Sequence, residues 1–234
     1  MQPVIAFDLW GDYAHFRKYF TTTSPLTFLL PPRTVLMGLI GAVCGLKKEE
    51  YIKTFAGDQA RLAVSICLPA RKVRLVENFI DTKTALLMGK IKNRTQIRLE
   101  LVKNPRYRVY VSLKNKALHD LLKEMLVAHK CVYTPYLGIS ELIANFSYVG
   151  EYAAEARAPD KHVNIVTALN ADLIRDLTIE DNKEYFSEVM PCDMAEDRSV
   201  TRYSKIVYER NGQAVKAHVT ECLELEKGEF IAFM

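Results

Sequence analysis

Apolar and polar residues alternate over 3–10 (PVIAFDLW), setting Ile5, Phe7 and Leu9 on one side of a predicted strand and Val4, Ala6 and Asp8 on the other. Pro31-Pro32 then opens a predicted helix from about Arg33 to Leu46, with Val35, Leu36, Leu39, Ile40 and Val43 as its apolar stripe. Inside it Gly38, Gly41 and Gly45 recur at three- and four-residue spacing. Each glycine costs about 1 kcal/mol of helix propensity against alanine, which predicts another backbone passing close to that face. A short amphipathic helix follows, closing near Gly57, and 61–68 (RLAVSICL) alternates as a second strand that Pro69 ends. Residues 96–103 and 106–113 are predicted to pair as a hairpin across Asn104-Pro105. A helix over 115–129 takes Asn115 as N-cap, and 145–153 reads as a fourth strand.

The order β-α-β-insertion-β-α-β is the ferredoxin-like or RRM-like plan, an α+β fold with an antiparallel sheet and both helices on one face. The opposite face is expected to stand open to a ligand. The predicted division is an RRM-like domain over 1–153, with an insertion at about 71–95, and a β-rich extension over 154–234. In that extension Asn211-Gly212, between Val200–Arg210 and Gln213–Glu221, carries the strongest hairpin signal. Val163–Leu169 and Glu229–Phe233 are further candidate strands.

The net charge of +4 hides 22 Lys and Arg against 10 Asp and Glu through Pro135, and 10 against 18 from Tyr136 onward. Residues 71–116 alone hold 13 basic and 3 acidic side chains. A short charge run is ordinarily a solvated face, but an excess spanning an insertion and two strands points to a polyanion. Five scattered cysteines without a C-x-x-C give neither a disulfide framework nor a zinc site. No apolar run reaches the roughly 20 residues of a membrane span. Met1-Gln2-Pro3-Val4 shows no basic n-region or cleavage site, so a cytoplasmic protein is expected.

The loop over 11–30 carries Tyr13, His15, Phe16, Arg17, Lys18 and Tyr19. A loop of that length in a compact domain is usually functional or disordered, and its three aromatics argue against disorder. The insertion has a basic base (Arg71, Lys72, Arg74), an apolar tip (Leu86, Leu87, Met88) and a second basic limb (Lys90, Lys92, Arg94). Its tip either packs back on the domain or protrudes to wedge between bases or dock on a partner. Arg98, Glu100, Arg106, Arg108 and Tyr110 are predicted to share a sheet face that suits phosphate contact and base stacking, and equally suits solvent. There is no G-x-x-x-x-G-K-[ST], H-E-x-x-H or G-x-S-x-G, and no metal or cofactor is expected. The RNP1 signature of RRM proteins is missing too. RNA cleavage by 2′-OH attack needs only a base, an acid and a cation, which Tyr13, His15, Lys18 and Tyr19 could supply.

The run D-L-W-G-D-Y-A-H-F-R-K-Y-F-T-T-T-S-P-L-T-F, followed by P-P-R-T and an L-x-G-L-I-G-A helix, resembles the start of the CRISPR-associated Cas five family of the RAMP superfamily. The wording is nearest its I-B-like branch. The resemblance is fair over 61–152, where Y-T-P-Y-L-G-I-S-E adds to it, and weak beyond 160. It implies an RRM-like core with a β-hairpin thumb at 71–95. It also implies an RNA-binding subunit of a type I Cascade complex, capping the 5′ handle of the crRNA in antiviral defence. The partners implied are the adjacent backbone and large subunits, with target DNA met indirectly. Carried onto this chain, RNA contact falls to Arg17, Lys18, Arg33, Arg71, Arg74, Lys92, Arg94, Arg98, Arg106 and Arg108, with Tyr13, Phe16, Tyr19 and Tyr110 on bases and His15 in the same loop. In the I-C branch the family member itself cuts precursor RNA with a Tyr, a Lys and a His. Here Lys114 and Lys116 are followed by Ala117 and Leu118, without a Lys-His pair in that pattern, which favours a non-catalytic role.

Overall fold

The computed structural model describes residues 1–80 and 94–234. The expected tip residues Leu86, Leu87 and Met88, and the basic Lys90 and Lys92, lie outside the described residues. The chain opens with β1 (Gln2–Trp10); β2 (Tyr13–Ala14), β3 (Phe16–Arg17) and β4 (Thr27–Phe28) lie in the loop that follows. Next come α1 (Arg33–Cys44), α2 (Tyr51–Phe55), β5 (Ala60–Ile66), β6 (Arg71–Ile80), β7 (Arg94–Lys103), β8 (Arg106–Leu113), α3 (Lys116–Val127) and β9 (Asn145–Arg157). The last third adds β10 (Val163–Ile165), β11 (Leu169–Asn170), β12 (Ile174–Leu177), β13 (Tyr185–Met194), β14 (Val200–Glu209), β15 (Val215–Val219), β16 (Cys222–Leu225) and β17 (Phe230–Ile231).

The expected α+β plan is present. Strands β9, β1, β8 and β5 lie side by side, every neighbour antiparallel. Alternation sends Ile5, Phe7, Leu9, Leu62, Val64, Val109 and Val111 to one face, where they pack with Leu36, Ile40 and Val43 of α1 and Leu118, Leu122 and Leu126 of α3. The Asn115 side chain accepts from Leu118 N at 3.1 Å, the expected N-cap of α3. Gly45, at φ +76°, ends α1 in the left-handed conformation, and Leu46 N closes onto Gly41 O at 2.8 Å.

Four expectations are corrected. Residues 96–103 and 106–113 do not pair with each other. Strand β7 runs along β6 for ten residues, from Arg71↔Lys103 to Ile80↔Arg94, while β8 joins the central sheet. Asn104, at φ +48° and donating to Asp12 O at 2.7 Å, turns the chain from one sheet to the other. Asn211-Gly212 is likewise a turn between sheets. Strand β14 pairs with β13 and β11, whereas β15 pairs with β10 and β12. The buried Glu209 carboxylate holds that turn by accepting from Asn211 N, Asn211 Nδ2 and Gln213 N. Among the described residues no backbone approaches Gly38 or Gly41, where a Cβ would meet nothing within 4 Å and Tyr51 Cβ at 3.0 Å respectively; only at Gly45 does a segment pass, Val132 N and Tyr133 N donating to Val43 O and Ala42 O.

The fourth correction bears most on function. The second face of the central sheet is not open. The large sheet continues past β9 through β16, β17, β10, β15 and β12. Ala168 N donates to Val64 O at 2.8 Å and Met234 N to Leu62 O at 3.0 Å, so the far part curls back onto β5. Val4, Ala6, Ala63 and Tyr110 are thereby buried against Leu223, Leu225 and Ile231. A face bearing those apolar side chains needs a cover, and the last strands supply it. A separate three-stranded sheet, β11-β14-β13, contributes Met190, Ile206 and Tyr208 to the main core.

Candidate nucleic-acid interface

Strands β6 and β7 form a protruding arm, and β2 pairs to the base of β7 through Tyr13↔Lys103 and Ala14↔Val102. The Tyr13–Tyr19 loop therefore starts on the arm. Alternation gives the arm two faces, since residues opposite each other across antiparallel strands project to the same side. One face carries Arg71 and Lys103, then Val73, Leu101, Leu75, Leu99 and Phe79. The other carries Lys72, Arg74, Arg98 and Arg94, with Glu100 as its acidic member among the described residues. Arg74, Arg94 and Arg98 are exposed, Arg74 with 72% of its side chain in solvent.

Glu100 fastens the loop to the arm. Its carboxylate accepts from Lys72 Nζ at 3.0 Å and Thr27 N at 3.2 Å, its N–H donates to Pro25 O at 3.1 Å, and its carbonyl meets His15 Nδ1 at 2.7 Å. A carbonyl only accepts, so His15 Nδ1 carries the proton. His15 is 3% exposed, and burial pushes its pKa below the usual histidine value. The side chain joins loop to arm and is closed to solvent.

The remaining expected residues divide sharply. Phe16 is buried, with its ring 6.1 Å from that of Tyr107, and so lies in the core. Arg17 is exposed, and its guanidinium donates to Thr21 O at 2.8 Å. Lys18 is ion-paired with Glu188 of β13 and lies 5.2 Å over the Phe28 ring. Tyr13 is half-buried and Tyr19 exposed. Arg33 is 2% exposed; it donates to Cys192 O, Phe55 O, Gly57 O and Ala60 O at 2.6–2.9 Å and pairs with Asp193. With both terminal nitrogens engaged by protein, it fastens α1 to the segment before β5 and to β13, and burial closes it to a phosphate. Tyr110, 2% exposed inside the curled sheet, offers no face to a base.

Arg106 and Arg108 sit where the second sheet face emerges. Arg108 Nε donates to Asp8 Oδ1 at 2.8 Å and Arg106 reaches Asp8 Oδ2 at 3.3 Å, while the Arg106 guanidinium lies 5.6 Å over the Trp10 ring. The Asp8 carboxylate pushes the Arg108 pKa up. One buried carboxylate thus balances part of this charge. Lys103 and Trp10, and also Phe20 and Tyr203, which cluster with Tyr19, join this surface without being expected there. Lys103 lay within the counted basic excess. Tyr203 had no sequence signal, because the strand that places it comes from the far end of the chain.

Among the described residues, no group of three or more His, Cys, Asp and Glu side chains is placed to hold a metal, and no helix is long and apolar enough to cross a membrane. The geometry offers a basic, extended arm face joined to an aromatic loop. Comparison with solved structures finds the same fold over nearly the whole chain. A crystal structure of a CRISPR protein from Archaeoglobus fulgidus superposes with a TM-score of 0.59 at 13% identity, covering 98% of both chains. A chain of a CRISPR RNA-guided surveillance complex gives 0.54 at 12% identity, covering 92% of both. A chain of a type III-B Cmr-beta complex bound to cognate target RNA and AMPPnP gives 0.51 at 12% identity, covering 92% of this chain and 86% of its own. No curated protein matches by sequence. Residues 4–206 match the family described as CRISPR-associated protein (Cas_Cas5), and the chain belongs to that Cas5 family.

Proposed function

We propose that this chain is a non-catalytic RNA-binding subunit of a type I CRISPR interference complex, of the I-B-like branch. In that role it caps the 5′ handle of the crRNA in antiviral defence. It contacts the adjacent backbone and large subunits and meets target DNA only through them. One observation carries the reading: Arg74, Arg94 and Arg98 line one exposed face of an arm whose base is paired to the Tyr13–Tyr19 loop. Cations in a row on a pleated surface suit a phosphate backbone. Family membership and the likeness to a chain of an RNA-guided surveillance complex support the same assignment. The non-catalytic part is supported by His15, which is buried and bonded to Glu100 O, and by Lys18, which is paired with Glu188.

The test is binding of repeat-derived RNA by the full chain across a salt series. Each phosphate contact on a single strand contributes about 0.7 to the slope of log affinity against log salt, so Arg74, Arg94 and Arg98 together give about 2. Affinity flat in salt would overturn the reading. Incubation with repeat RNA in EDTA is expected to leave it intact. Cleavage that disappears in His15→Ala would replace the non-catalytic assignment with a metal-independent endoribonuclease.

A further inference from the structure

At the end of the loop away from the arm, three aromatic rings meet in the open. Tyr19 is 53% exposed, Phe20 62% and Tyr203 43%. The Tyr19 and Tyr203 rings lie 4.8 Å apart at 52°, and Tyr19 and Phe20 lie 5.3 Å apart edge to face. Tyr203 comes from β14, so the cluster joins the first loop to the acidic last third of the chain. We propose that Tyr19, Phe20 and Tyr203 form a base-stacking platform for single-stranded RNA. This deepens the functional reading above and rests on it.

Three observations favour nucleobases as the occupant. First, the platform is held before any ligand arrives. Lys18 is paired with Glu188 of β13, Thr21 N and Oγ1 both donate to Lys18 O, at 3.1 and 2.7 Å, and Arg17 is bonded to Thr21 O. Aromatic side chains already fixed lose little entropy on stacking. Second, the tilt between the rings leaves π-faces uncovered, and a π-face accepts any base. Third, the surrounding charge suits a polyanion. Exposed Arg17 lies two residues before Tyr19, and exposed Lys205 shares the Tyr203 side of β14. Of the β13 carboxylates, Glu188 is occupied by Lys18 and by the Tyr208 hydroxyl, and Asp193 by Arg33 and Arg202. The platform is also continuous with the arm: the loop pairs with β7 at Tyr13 and reaches the cluster at Tyr19.

The experiment compares the full wild-type chain with Tyr203→Ala, Phe20→Ala and Tyr203→Phe. The probes are a fluorescein-labelled mixed-sequence single-stranded RNA and its abasic counterpart, which keeps the phosphates and lacks the bases. Each alanine variant is expected to bind the RNA about 5- to 150-fold more weakly. The salt slope should stay unchanged, the thermal unfolding curve should match wild type, and affinity for the abasic strand should not move. Tyr203→Phe should bind like wild type. If both alanine variants bind RNA normally, or lose affinity equally for the abasic strand, the platform is overturned. Normal binding by both would leave the cluster as a surface for a protein partner. A wild-type chain that binds no RNA overturns both this inference and the functional reading. A wild-type chain with a steep salt slope and unaffected Tyr203→Ala and Phe20→Ala variants overturns the platform alone.

Discussion

The arm and the central sheet use similar residues in similar alternation and reach opposite electrostatic outcomes. In β7, Arg94 and Arg98 alternate with Thr95, Ile97 and Leu99; in β8, Arg106, Arg108 and Tyr110 alternate with Tyr107, Val109 and Val111. On the arm the arginines stand in solvent, and only Arg74 among them reaches, at 3.9 Å, the one carboxylate that Lys72 and Thr27 N already engage. On the sheet, Arg106 and Arg108 share the buried Asp8, and Tyr110 is enclosed by strands from the last third. The difference comes from what crosses each surface. The arm leaves the body of the protein, so its charge is not matched by packing. The sheet is curled over by its own continuation, so its polar groups must be satisfied from within. A basic excess counted along the chain mixes charge available to a ligand with charge already consumed by the fold.

Arg33 gives the sharpest test of that distinction, with the largest expected effect. Arg33→Met takes one of two arginines from Asp193, which keeps Arg202, and strands four carbonyls that now accept from one guanidinium. Each buried acceptor left without its donor costs about 1–3 kcal/mol, and here there are four. The urea midpoint should fall without a change in m. Arg33→Lys should recover little, because an ammonium cannot reproduce the planar fork. The RNA salt slope of the folded variant should equal wild type. A stable Arg33→Met with weakened RNA binding would place Arg33 on the ligand side of the comparison instead.

Asp8→Asn comes next. It leaves Arg106 and Arg108 without their carboxylate, and the loss of hydrogen bonds to charged groups predicts destabilisation of about 1.5–3 kcal/mol in the same urea assay. Both arginines become available to a phosphate. If RNA follows the arm, the salt slope stays as in wild type. A steeper slope would show the strand crossing the sheet end as well, and the two regions would no longer contrast.

Much of the fold could be read from the chain. Local rules governed β1, α1 and α3: alternation, Pro-Pro at a helix start, Asn115 as a cap. What escaped depended on distant partners. The alternation in 96–103 fits 106–113 as well as 71–80, and what decides is that β1 and β5 occupy both edges of β8. Closure of the second sheet face needs Val64 to meet Ala168 and Leu62 to meet Met234, which no local pattern announces. Arg33 read as a phosphate contact at a helix start because its acceptors lie far along the chain, at 55–60 and 192–193. The loop–arm junction was legible as two neighbouring basic, aromatic stretches. Its fastening through Glu100 and His15 was not.

On the arm, the double variant Arg74→Gln/Arg98→Gln should change stability by no more than about 0.5 kcal/mol, since both side chains are exposed. Its salt slope should be shallower by about 1.4, two contacts' worth on a single strand. An unchanged slope would mean that the arm's charge is as uninvolved as that of the sheet.

The smallest effect is expected at His15, where the arm's base meets the loop. Burial lowers its folded pKa below the 6.5 of the exposed side chain. Between that lowered value and 6.5 the unfolded chain binds more protons than the folded one, so stability rises with pH through this window. The contribution is fully present above 6.5 and is lost as pH falls through the folded pKa. Its slope cannot exceed about 1.4 kcal/mol per pH unit for a single group. His15→Gln removes this titration, so the stability difference between wild type and variant should shift in the variant's favour as the solution is acidified. Urea unfolding at a series of pH values measures that difference directly. A difference that stays constant across the window would mean His15 titrates as if exposed. The arm's base would then be as open to solvent as its basic face, and the contrast between a consumed interior and an available arm would fail at the point where the two meet.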